Sequence, residues 1–447
     1  MSATSHKQAS PSLKVSVVII GAGACGLVAA LAARDAGAEV LVLERDSSPS
    51  GSTSLSSGFI PASDTRFQRE AGVKDSMALM VADVEKKNHG QSDRRLVQAV
   101  CEASGPAIEW LAEKHGIPFQ LVQGFLYPGH SVERMHSVPE KTGAALQAAL
   151  LKAFAASGAD LLCSARVTDV DGTKIQVERP DHSVETIEYQ SLVLACSGFG
   201  GNKAMVKQHL PEIADALYFG HAGNQGDAIR WASALGAAVK HMRAYQGHGS
   251  VATPHGILIT WALMTEGGIQ VNERGERFAN EHSGYSEACL PVLRQPGGVA
   301  WCIYDERLHQ LGMTFPDYRE ANSSGAVRPA PDLPLLEETL LKIRKYAAGG
   351  HDPFGRDFTA KPGLQPPCYG VKVTGALFHT QGGLAIDEHA RVLDKSGRPL
   401  PNLYAGGGAA CGVSGDHVWG YLSGNGLLSA VTLGRIAGAS AVRHLPR

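Results

Sequence analysis

Three glycines near the N-terminus have the spacing that lets a polypeptide backbone approach a pyrophosphate. Gly21, Gly23 and Gly26 form a G-x-G-x-x-G pattern, and an acidic residue, Glu44, follows it. In this pattern the first glycine permits a tight turn, the second allows close approach to the phosphates, and the third lets a helix pack on a strand. The carboxylate of Glu44 would accept hydrogen bonds from both hydroxyls of a ribose, which favours an adenosine without a 2′-phosphate. These four residues predict a dinucleotide-binding site.

The segments around these residues have the pattern of a β-α-β unit. Residues 15–20 are a β-branched apolar run typical of a buried strand, and a helical pattern covers residues 27–36. Gly37 is the expected C-terminal cap of that helix, and a second strand, residues 39–43, ends at Glu44. The N-terminus of the helix would present free N–H groups and the positive end of its dipole to the phosphates. The complete unit is far more specific than a glycine pattern alone.

Two further apolar strands also lead into glycines. Residues 191–197 precede Gly198, and residues 402–405 precede the triplet 406–408, while residues 424–428 open a final helical segment. Because a single NAD-binding unit needs only the first junction, three such junctions favour one cofactor that contacts both ends of the chain. The Ser- and Gly-rich loop 50–58 has two interpretations, a solvated linker or a further set of donors to that cofactor.

Composition excludes several other classes of protein. Hydrophobic residues are 44% of the chain and charged residues 19%, which is enough apolar surface for a large core. Lys and Arg number 41 against 43 Asp and Glu, with no basic block, so we expect no nucleic-acid partner. No apolar run approaches the ~18 residues of a membrane span, and residues 1–14 have the composition of a disordered leader.

The eight cysteines are scattered along the chain, at positions 25, 101, 163, 196, 289, 302, 368 and 411. They form no C-x-x-C pair and no zinc or haem spacing, so we expect no metal site. This usage predicts reduced thiols in a cytoplasmic protein. Without a haem or iron–sulfur ligand set, a redox cofactor in this chain must exchange electrons with an external acceptor.

Taken in order, the motifs of the chain resemble those of the fumarate reductase/succinate dehydrogenase flavoprotein superfamily, which includes the ketosteroid dehydrogenases. The motifs that carry the resemblance are the opening unit, the loop 50–58, and the segments 194–202, 223–229, 271–281, 403–408 and 423–428. The resemblance covers about residues 15–445 and implies an α/β fold. It implies a Rossmann-like FAD-binding domain whose parallel sheet is discontinuous in sequence, residues 15–245 and 371–447. An α+β capping domain, residues 246–370, would be inserted between the two parts.

The resemblance also implies the cofactor, FAD, and the residues that hold it. No histidine stands in the loop 50–58, where succinate dehydrogenases attach FAD covalently, so the FAD is expected to be non-covalent. The positions implied to bind it are Gly21, Gly23, Ala24, Cys25, Gly26, Glu44, Arg45, Ser52, Thr53, Ser57, Gly58, Val167, Cys196, Ser197, Gly198, Asn202, Gly226, Asp227, Gly383, Gly407, Gly408, Gly424, Asn425, Leu427 and Leu428.

Two positions depart from the dicarboxylate branch of the superfamily. Fumarate reductases have an arginine four residues after the glutamate of their R-F-x-N-E motif, and Tyr285 stands there in this chain. They have another arginine four residues before the asparagine of the final G-N motif, where this chain has Tyr421. Two guanidinium groups suit a dianion, whereas two phenols suit a neutral ketone. Ketosteroid dehydrogenases resemble this chain at both places. The Y-x-S-G motif of their 4-dehydrogenase type matches Tyr421 and Ser423, so the resemblance implies Tyr285, Tyr421 and Ser423 as the catalytic group.

We therefore expect an FAD-dependent dehydrogenase that introduces a C=C bond α,β to the ketone of a 3-ketosteroid or a smaller cyclic oxo compound. Tyr421 and a backbone N–H near Gly424 would polarise the ketone, Tyr285 would take the α-proton through Ser423, and the β-hydride would pass to flavin N5. The sequence leaves the reverse assignment of the two phenols, as base and as donor, open. A tyrosine near its reference pKa of about 10 is a poor base, so a lowered pKa or a transient phenolate is expected. One alternative is a flavin-dependent C=C reductase of an activated or unsaturated acid substrate, and a second is a non-catalytic flavin-binding redox protein.

Further candidates contact the substrate in this interpretation. Tyr127 would line the mouth of the site, and His379 and His248 lie near histidine positions of the superfamily. Each of the three has a structural alternative, as a buried ring with a satisfied polar atom. Arg134 and Arg294 are the arginines to inspect if the substrate were a carboxylate, although neither falls on a motif of the superfamily.

Overall fold

A computed structural model describes residues 13–445 of the protein. The predicted disordered leader, residues 1–14, lies outside the described residues except for Leu13 and Lys14, which begin the first strand. The strands are β1 (Leu13–Ile20), β2 (Val40–Leu43), β3 (Ile60–Pro61), β4 (Gln120–Leu121), β5 (Met135–Ser137), β6 (Asp160–Leu162), β7 (Arg166–Val170), β8 (Lys174–Glu178), β9 (Val184–Leu194), β10 (Leu217–Tyr218), β11 (Val239–Lys240), β12 (Tyr245–Ala252), β13 (Ile257–Leu258), β14 (Ile269–Val271), β15 (Val299–Asp305), β16 (Arg328–Pro329), β17 (Cys368–Thr380), β18 (Gly383–Leu384), β19 (Arg391–Leu393) and β20 (Pro399–Ala405).

Helices occupy many of the segments between the strands, and α14 is the last element of the described residues. The α-helices are α1 (Ala24–Asp35), α2 (Gly51–Ser54), α3 (Arg66–Glu70), α4 (Met77–Lys87), α5 (Arg94–Glu113), α6 (Gly143–Ser157), α7 (Lys203–His209), α8 (Asp227–Ala234), α9 (Ala262–Thr265), α10 (Tyr285–Leu293), α11 (Glu306–Gly312), α12 (Pro316–Ser323), α13 (Leu336–Ala347) and α14 (Asn425–Arg443). Short 3₁₀ helices are Pro211–Ile213, Glu281–Ser283, Pro296–Gly298, Gly407–Ala409 and Val418–Gly420.

The larger sheet has a parallel centre built from both ends of the chain. Its strand order is β19-β20-β9-β1-β2-β6, and β8 and β7 continue it from β9. The pairs β20–β9, β9–β1, β1–β2 and β2–β6 are all parallel. The predicted α/β class, with a parallel sheet that is discontinuous in sequence, is confirmed. Because β1, β9 and β20 end side by side, the three glycine-rich junctions that follow them meet at one edge of the sheet.

The first β-α-β unit forms where the sequence predicts it, with a longer helix. Helix α1 begins at Ala24, before the predicted start at residue 27, because the N–H of Leu27 already donates to the carbonyl of Gly23 at 3.0 Å. Gly21 has a φ of +105°, a left-handed backbone conformation that favours glycine. A Cβ atom at Gly26 would lie 1.8 Å from the carbonyl oxygen of Gly21, so only glycine allows α1 this close to the turn.

A second sheet is built from strands that lie between residues 217 and 380. Its order is β13-β12-β17-β15-β14, with β10 and β16 also paired to β17. All of its pairs are antiparallel except β10–β17. A separate hydrophobic cluster around Trp261, Tyr304 and Tyr318 lies against it. The assignment of residues 246–370 to a capping domain stays a proposal, since β10 and the end of β17 also belong to this sheet.

Candidate functional site

One continuous cavity runs from the glycine-rich edge of the larger sheet to the second sheet. Its first part, here called the dinucleotide end, is lined by residues 20–25, 43–46 and 165–167. Its opposite part, here called the aromatic end, is lined by Tyr127, Gln246, His248, Leu258, Thr260, Trp261, Tyr285, Phe315, Pro316, Asp317, Phe378, His379 and Tyr421. The cavity therefore has the extent that a dinucleotide and a second small molecule together require.

The structure brings most of the predicted site residues together around this cavity. All six predicted catalytic and substrate-binding residues line it, namely Tyr285, Tyr421, Ser423, Tyr127, His379 and His248. The predicted cofactor-binding residues that line it are Gly21, Gly23, Ala24, Cys25, Glu44, Arg45, Ser52, Thr53, Ser57, Gly58, Val167, Cys196, Ser197, Asp227, Gly407, Gly408, Gly424 and Leu427. Those that do not line it are Gly26, Gly198, Asn202, Gly226, Gly383, Asn425 and Leu428.

The predicted cofactor-binding residues that do not line the cavity stabilise the segments around it. A Cβ atom at Gly198 would lie 2.0 Å from the hydroxyl oxygen of Thr380, so this glycine lets two lining segments approach each other. Asn202 caps α7 by accepting a hydrogen bond from the N–H of Met205 at 3.1 Å. Asn425 is fully buried, and its amide donates to the hydroxyl of Ser414 at 3.1 Å. Direct contact with the cofactor is therefore not supported for these positions.

The dinucleotide end fits FAD. The N-terminus of α1 opens into it without a side-chain cap from its N-cap residue, Gly23, and the N–H of Ala24 donates to Thr53 at 2.9 Å. The carboxylate of Glu44 also lines it, fixed by the N–H groups of Ala22 and Asp46 at 3.0 Å each. The hydroxyl of Ser429, which lines the cavity, is buried and has no hydrogen-bond partner among the described residues. A helix N-terminus, a ribose-binding acid and an unpartnered hydroxyl in one cleft are the donor and acceptor set that FAD requires.

The two tyrosines that replace the superfamily's arginines meet at the aromatic end. The rings of Tyr285 and Tyr421 lie 6.0 Å apart between centroids, and their exposed fractions are 9% and 5%. Tyr285 is the first residue of α10, and the N–H of Gly426 donates to the hydroxyl of Tyr421 at 3.4 Å. The backbone of Ser423 is fixed by His130, whose Nε2 donates to the Ser423 carbonyl at 2.9 Å. Three separate chain segments therefore place the catalytic candidates.

Burial changes the acidity of both phenols, in the direction opposite to the expectation from sequence. Loss of hydration raises the pKa of Tyr285 to about 12, although the hydroxyls of Ser423 and Tyr421 and the N–H of Gly424 act against that rise. The pKa of Tyr421 is raised well above its ordinary value. The main cause is loss of hydration, and the second is the proximity of Tyr285. Of the two expectations from sequence, a lowered tyrosine pKa is not what burial produces here, and the transient phenolate stays a prediction. The charge of one phenolate opposes ionisation of the other tyrosine, so the site favours at most one phenolate at a time.

His248 is part of a stack of rings rather than a proton donor. Its ring lies 4.6 Å from that of Tyr285 and 5.1 Å from that of Phe378, nearly parallel to both, and Phe219 stacks on Phe378 at 4.8 Å. Burial lowers the pKa of His248 to about 3, so its imidazole is neutral at physiological pH. Its Nδ1 accepts from the N–H of Ser250 at 3.2 Å. The stack therefore fixes the orientation of the Tyr285 ring.

His379 is also neutral and is oriented by a chain of amides and hydroxyls. The side-chain amide of Gln381 contacts its Nδ1 at 2.8 Å, and Gln381 accepts from Ser414, which in turn accepts from Asn425. Burial lowers the pKa of His379 to about 4. The His379 ring meets the Tyr421 ring edge-on at 5.6 Å. The buried Asn425 thus acts on the site through two intermediate residues.

Among residues 13–445, no arginine or lysine lines the aromatic end. The basic residues that line the cavity, Arg45, Lys141 and Arg166, all come from chain segments that precede residue 167. Arg134 lies 1% exposed and bonded to Asp75 at 2.8 Å, outside the cavity, and Arg294 is exposed on the surface. The aromatic end therefore lacks the paired guanidinium groups that a dicarboxylate needs.

Several lining residues were not identified from the sequence. Thr260, Trp261, Phe315, Asp317 and Phe378 line the aromatic end, yet none stands in a motif that the sequence singles out as a site. Asn224, which lies inside a quoted motif, donates to Ser52 at 2.8 Å and also lines the cavity. A motif can be recognised by its spacing, whereas a cavity wall assembled from separate elements leaves no local signal.

Comparisons with known proteins agree with this geometry. Residues 16–427 match the family model described as an FAD binding domain. A probable fumarate reductase of Shewanella frigidimarina is 30% identical, over 98% of this chain and 76% of its own. The open conformation of a flavocytochrome c3 fumarate reductase superposes with a TM-score of 0.81 at 29% identity, over 98% of this chain and 80% of that one. The 3-ketosteroid-Δ4-(5α)-dehydrogenase of Rhodococcus jostii, in complex with 4-androstene-3,17-dione, has a TM-score of 0.78 at 26% identity over 99% of both chains.

The chain belongs to the FAD-binding domain family. The predicted flavoprotein superfamily, the likeness to ketosteroid dehydrogenases, and an FAD-dependent oxidoreductase acting on CH–CH groups are confirmed. Between residues 13 and 445, none of the helices combines the length and the apolar character needed to cross a membrane. The same residues contain no cluster of three or more His, Cys, Asp or Glu side chains that could hold a metal ion.

Proposed function

We propose that the protein is a dehydrogenase that introduces a C=C bond α,β to the ketone of a neutral cyclic substrate, a 3-ketosteroid or a smaller cyclic oxo compound. The observation that carries this proposal is the pair of buried phenols, Tyr285 and Tyr421, in an aromatic end that no lysine or arginine lines. Phenols donate hydrogen bonds to a ketone oxygen, whereas a dicarboxylate would lie there without a counter-charge.

The residues have separate roles in this proposal. The hydroxyl of Tyr421 and the N–H of Gly424 donate to the ketone oxygen, and one such donor contributes roughly 3–4 kcal/mol as negative charge develops. Tyr285, in its phenolate form, takes the α-proton, because the nearby hydroxyl of Ser423 favours a phenolate there. Ser423 connects Tyr285 to the rest of the proton path. FAD supplies the two-electron hydride acceptor when it is bound.

The FAD is proposed to be non-covalent and the electron acceptor external. The cysteines that line the dinucleotide end are poor nucleophiles, because burial raises the pKa of Cys25 and of Cys196 to about 12. Release of all flavin into solution on acid precipitation would support this attachment, and flavin that stays with the precipitate would contradict it. All eight cysteines are free thiols, which favours the cytoplasm as the location.

A second candidate function is reduction of the same kind of bond in an activated substrate. Burial keeps both phenols protonated at neutral pH, and a protonated Tyr285 is a proton donor. The curated relatives include several reductases, among them a urocanate reductase of Eggerthella lenta. An unsaturated ketone suits an aromatic end without lysine or arginine better than an unsaturated acid does.

Anaerobic flavin spectroscopy of the purified holoenzyme tests the proposal. The oxidised protein is mixed separately with 5α-androstane-3,17-dione, cyclohexanone and succinate, and the flavin absorbance is followed. We expect a ketone, but not succinate, to bleach the flavin, and the corresponding enone to restore the colour of the reduced protein. Bleaching by succinate and by neither ketone would contradict the proposal, and an inert flavin with every compound would favour a non-catalytic redox protein.

A further inference from the structure

The aromatic end contains one charged side chain, that of Asp317. Among the lining residues between positions 246 and 379, the others are aromatic, apolar, uncharged polar or neutral histidine. The Asp317 side chain is half-buried, and no hydrogen bond or ion pair joins it to any residue between 13 and 445. A carboxylate that lines an otherwise uncharged end of the cavity without a partner calls for a ligand that supplies one.

Aromatic rings connect Asp317 to the catalytic candidates. Asp317 is close enough to Tyr127 to influence its ionisation, and the Tyr127 ring lies 6.2 Å from that of Tyr285. The ring of Phe125 also joins the two regions, because it contacts Phe315 at 5.4 Å and Tyr127 at 5.0 Å between centroids. A ligand whose oxo group reaches Tyr285 and Tyr421 would therefore extend along ring faces and edges toward Asp317.

The local structure keeps this carboxylate available for a cation. Asp317 is in the first turn of α12, directly after Pro316. The N-cap residue of α12 provides no side-chain hydrogen bond to the N–H groups of this turn. The positive end of the helix dipole stabilises an anion at this position. Two other causes raise the pKa of Asp317 and so oppose the effect of the dipole. The larger is burial, and the smaller is the charge of the neighbouring Glu320. An ammonium group would favour the ionised form, and nearby aromatic faces attract the same cation.

We propose that Asp317 is a specificity-determining residue that binds a protonated amine of the substrate, so that the preferred cyclic ketone is an aminoketone with its ammonium group remote from the oxo group. This inference rests on the proposed function for the position of the oxo group. A neutral hydroxyl could also donate to the carboxylate, but it would leave the negative charge of Asp317 uncompensated.

Binding to the reduced holoenzyme tests the inference without turnover, because a saturated ketone reacts with oxidised flavin only. Two matched series are titrated calorimetrically with the flavin kept reduced. One comprises 4-amino-, 4-hydroxy- and 4-methylcyclohexanone with 4-oxocyclohexanecarboxylate, and the other comprises 5α-androstan-3-one with its 17β-hydroxy and 17β-amino derivatives. We expect the amine of at least one series to bind about tenfold more tightly than its neutral counterparts, and the carboxylate to bind most weakly.

Three variants separate a specific ion pair from a general effect. Asp317→Asn should remove the advantage of the amine and leave the affinity of the neutral ketones within about twofold. Asp317→Ser, which keeps an oxygen at the start of α12, is the second variant if the first is unstable. Glu320→Gln, on the same helix but exposed and outside the cavity, should retain the advantage.

Two results would overturn the inference. One is an amine that binds no more tightly than its neutral counterparts in both series, and the other is an advantage that survives in the Asp317 variants. Failure of the proposed function has a different signature, because no ketone of either series would then bleach the oxidised flavin, whatever the dissociation constants are.

Discussion

Replacement of Tyr421 by phenylalanine removes one hydroxyl from the site and changes little else. The ring contacts with Tyr285 at 6.0 Å and with His379 at 5.6 Å do not involve that hydroxyl. That hydroxyl accepts a long hydrogen bond from the N–H of Gly426, at 3.4 Å, and is also hydrogen-bonded to the hydroxyl of Tyr285, so its loss should cost about 1–3 kcal/mol of stability. If Tyr421 donates to the ketone oxygen, its loss should cost roughly 3–4 kcal/mol in the transition state, a decrease in rate of about 10²–10³.

The assay is the rate of flavin bleaching in an anaerobic stopped-flow experiment at saturating ketone. Tyr404→Phe is a matched control, because Tyr404 is equally buried, its hydroxyl contacts His444 at 3.1 Å, and it does not line the cavity. The control should bleach at the wild-type rate, and both variants should retain their flavin. A Tyr421→Phe protein that keeps its flavin and bleaches within about threefold of the wild-type rate would refute the assigned role.

Two further predictions concern ionisation. Flavin bleaching by ketone should accelerate about tenfold per pH unit between pH 7 and 9, because the phenolate of Tyr285 increases toward its pKa of about 12, and Tyr285→Phe should abolish this dependence. Glu281→Gln should lower the free energy of unfolding in urea at pH 7 by about 3–5 kcal/mol, because the buried Arg356 loses its carboxylate partner and the buried Arg277 keeps only Asp352. Glu276→Gln, whose partner is exposed, should change it by less than about 1 kcal/mol. Since these arginines lower the pKa of Glu281 to about 2 against the effect of burial, its stabilisation should be complete above pH 4.5 and lost as the pH falls toward 2.

Sequence predicts well those parts of the molecule whose conformation is determined by a few neighbouring residues. The turn at Gly21 needs a left-handed backbone and the contact at Gly26 leaves no room for a Cβ atom, so residue type and spacing carry the information directly. The neighbouring positions of β1, β9 and β20 are predicted for the same reason, because each of these three strands leads into glycines. The start of α1 was placed late because apolar periodicity begins after the glycines, whereas the helical hydrogen bonds begin among them.

What sequence did not predict depends on packing between distant segments. Asp317 and Phe378 are 61 positions apart yet line the same end of the cavity, and neither stands in a recognisable pattern there. The acidity of the tyrosines has the same origin, because loss of hydration is a property of the assembled site. Asn425 was assigned to the cofactor from its motif, but in the fold it reaches the site only through Ser414 and Gln381.

The high pKa of Tyr285 bears on the direction in which the site works. At pH 7 a phenol with a pKa of about 12 is five pH units below its midpoint, so forming the phenolate that dehydrogenation needs costs about 7 kcal/mol. The reverse reaction needs the neutral phenol, which is already the dominant form. Raising the pH therefore lowers the barrier to dehydrogenation and leaves the proton donor for reduction in place until the pH approaches 12. The hydroxyls of Ser423 and Tyr421 and the N–H of Gly424 oppose part of this cost at Tyr285. An enzyme that oxidises ketones at neutral pH must gain the remainder when substrate and cofactor occupy the cavity, which makes the phenolate of Tyr285 the state that binding has to stabilise.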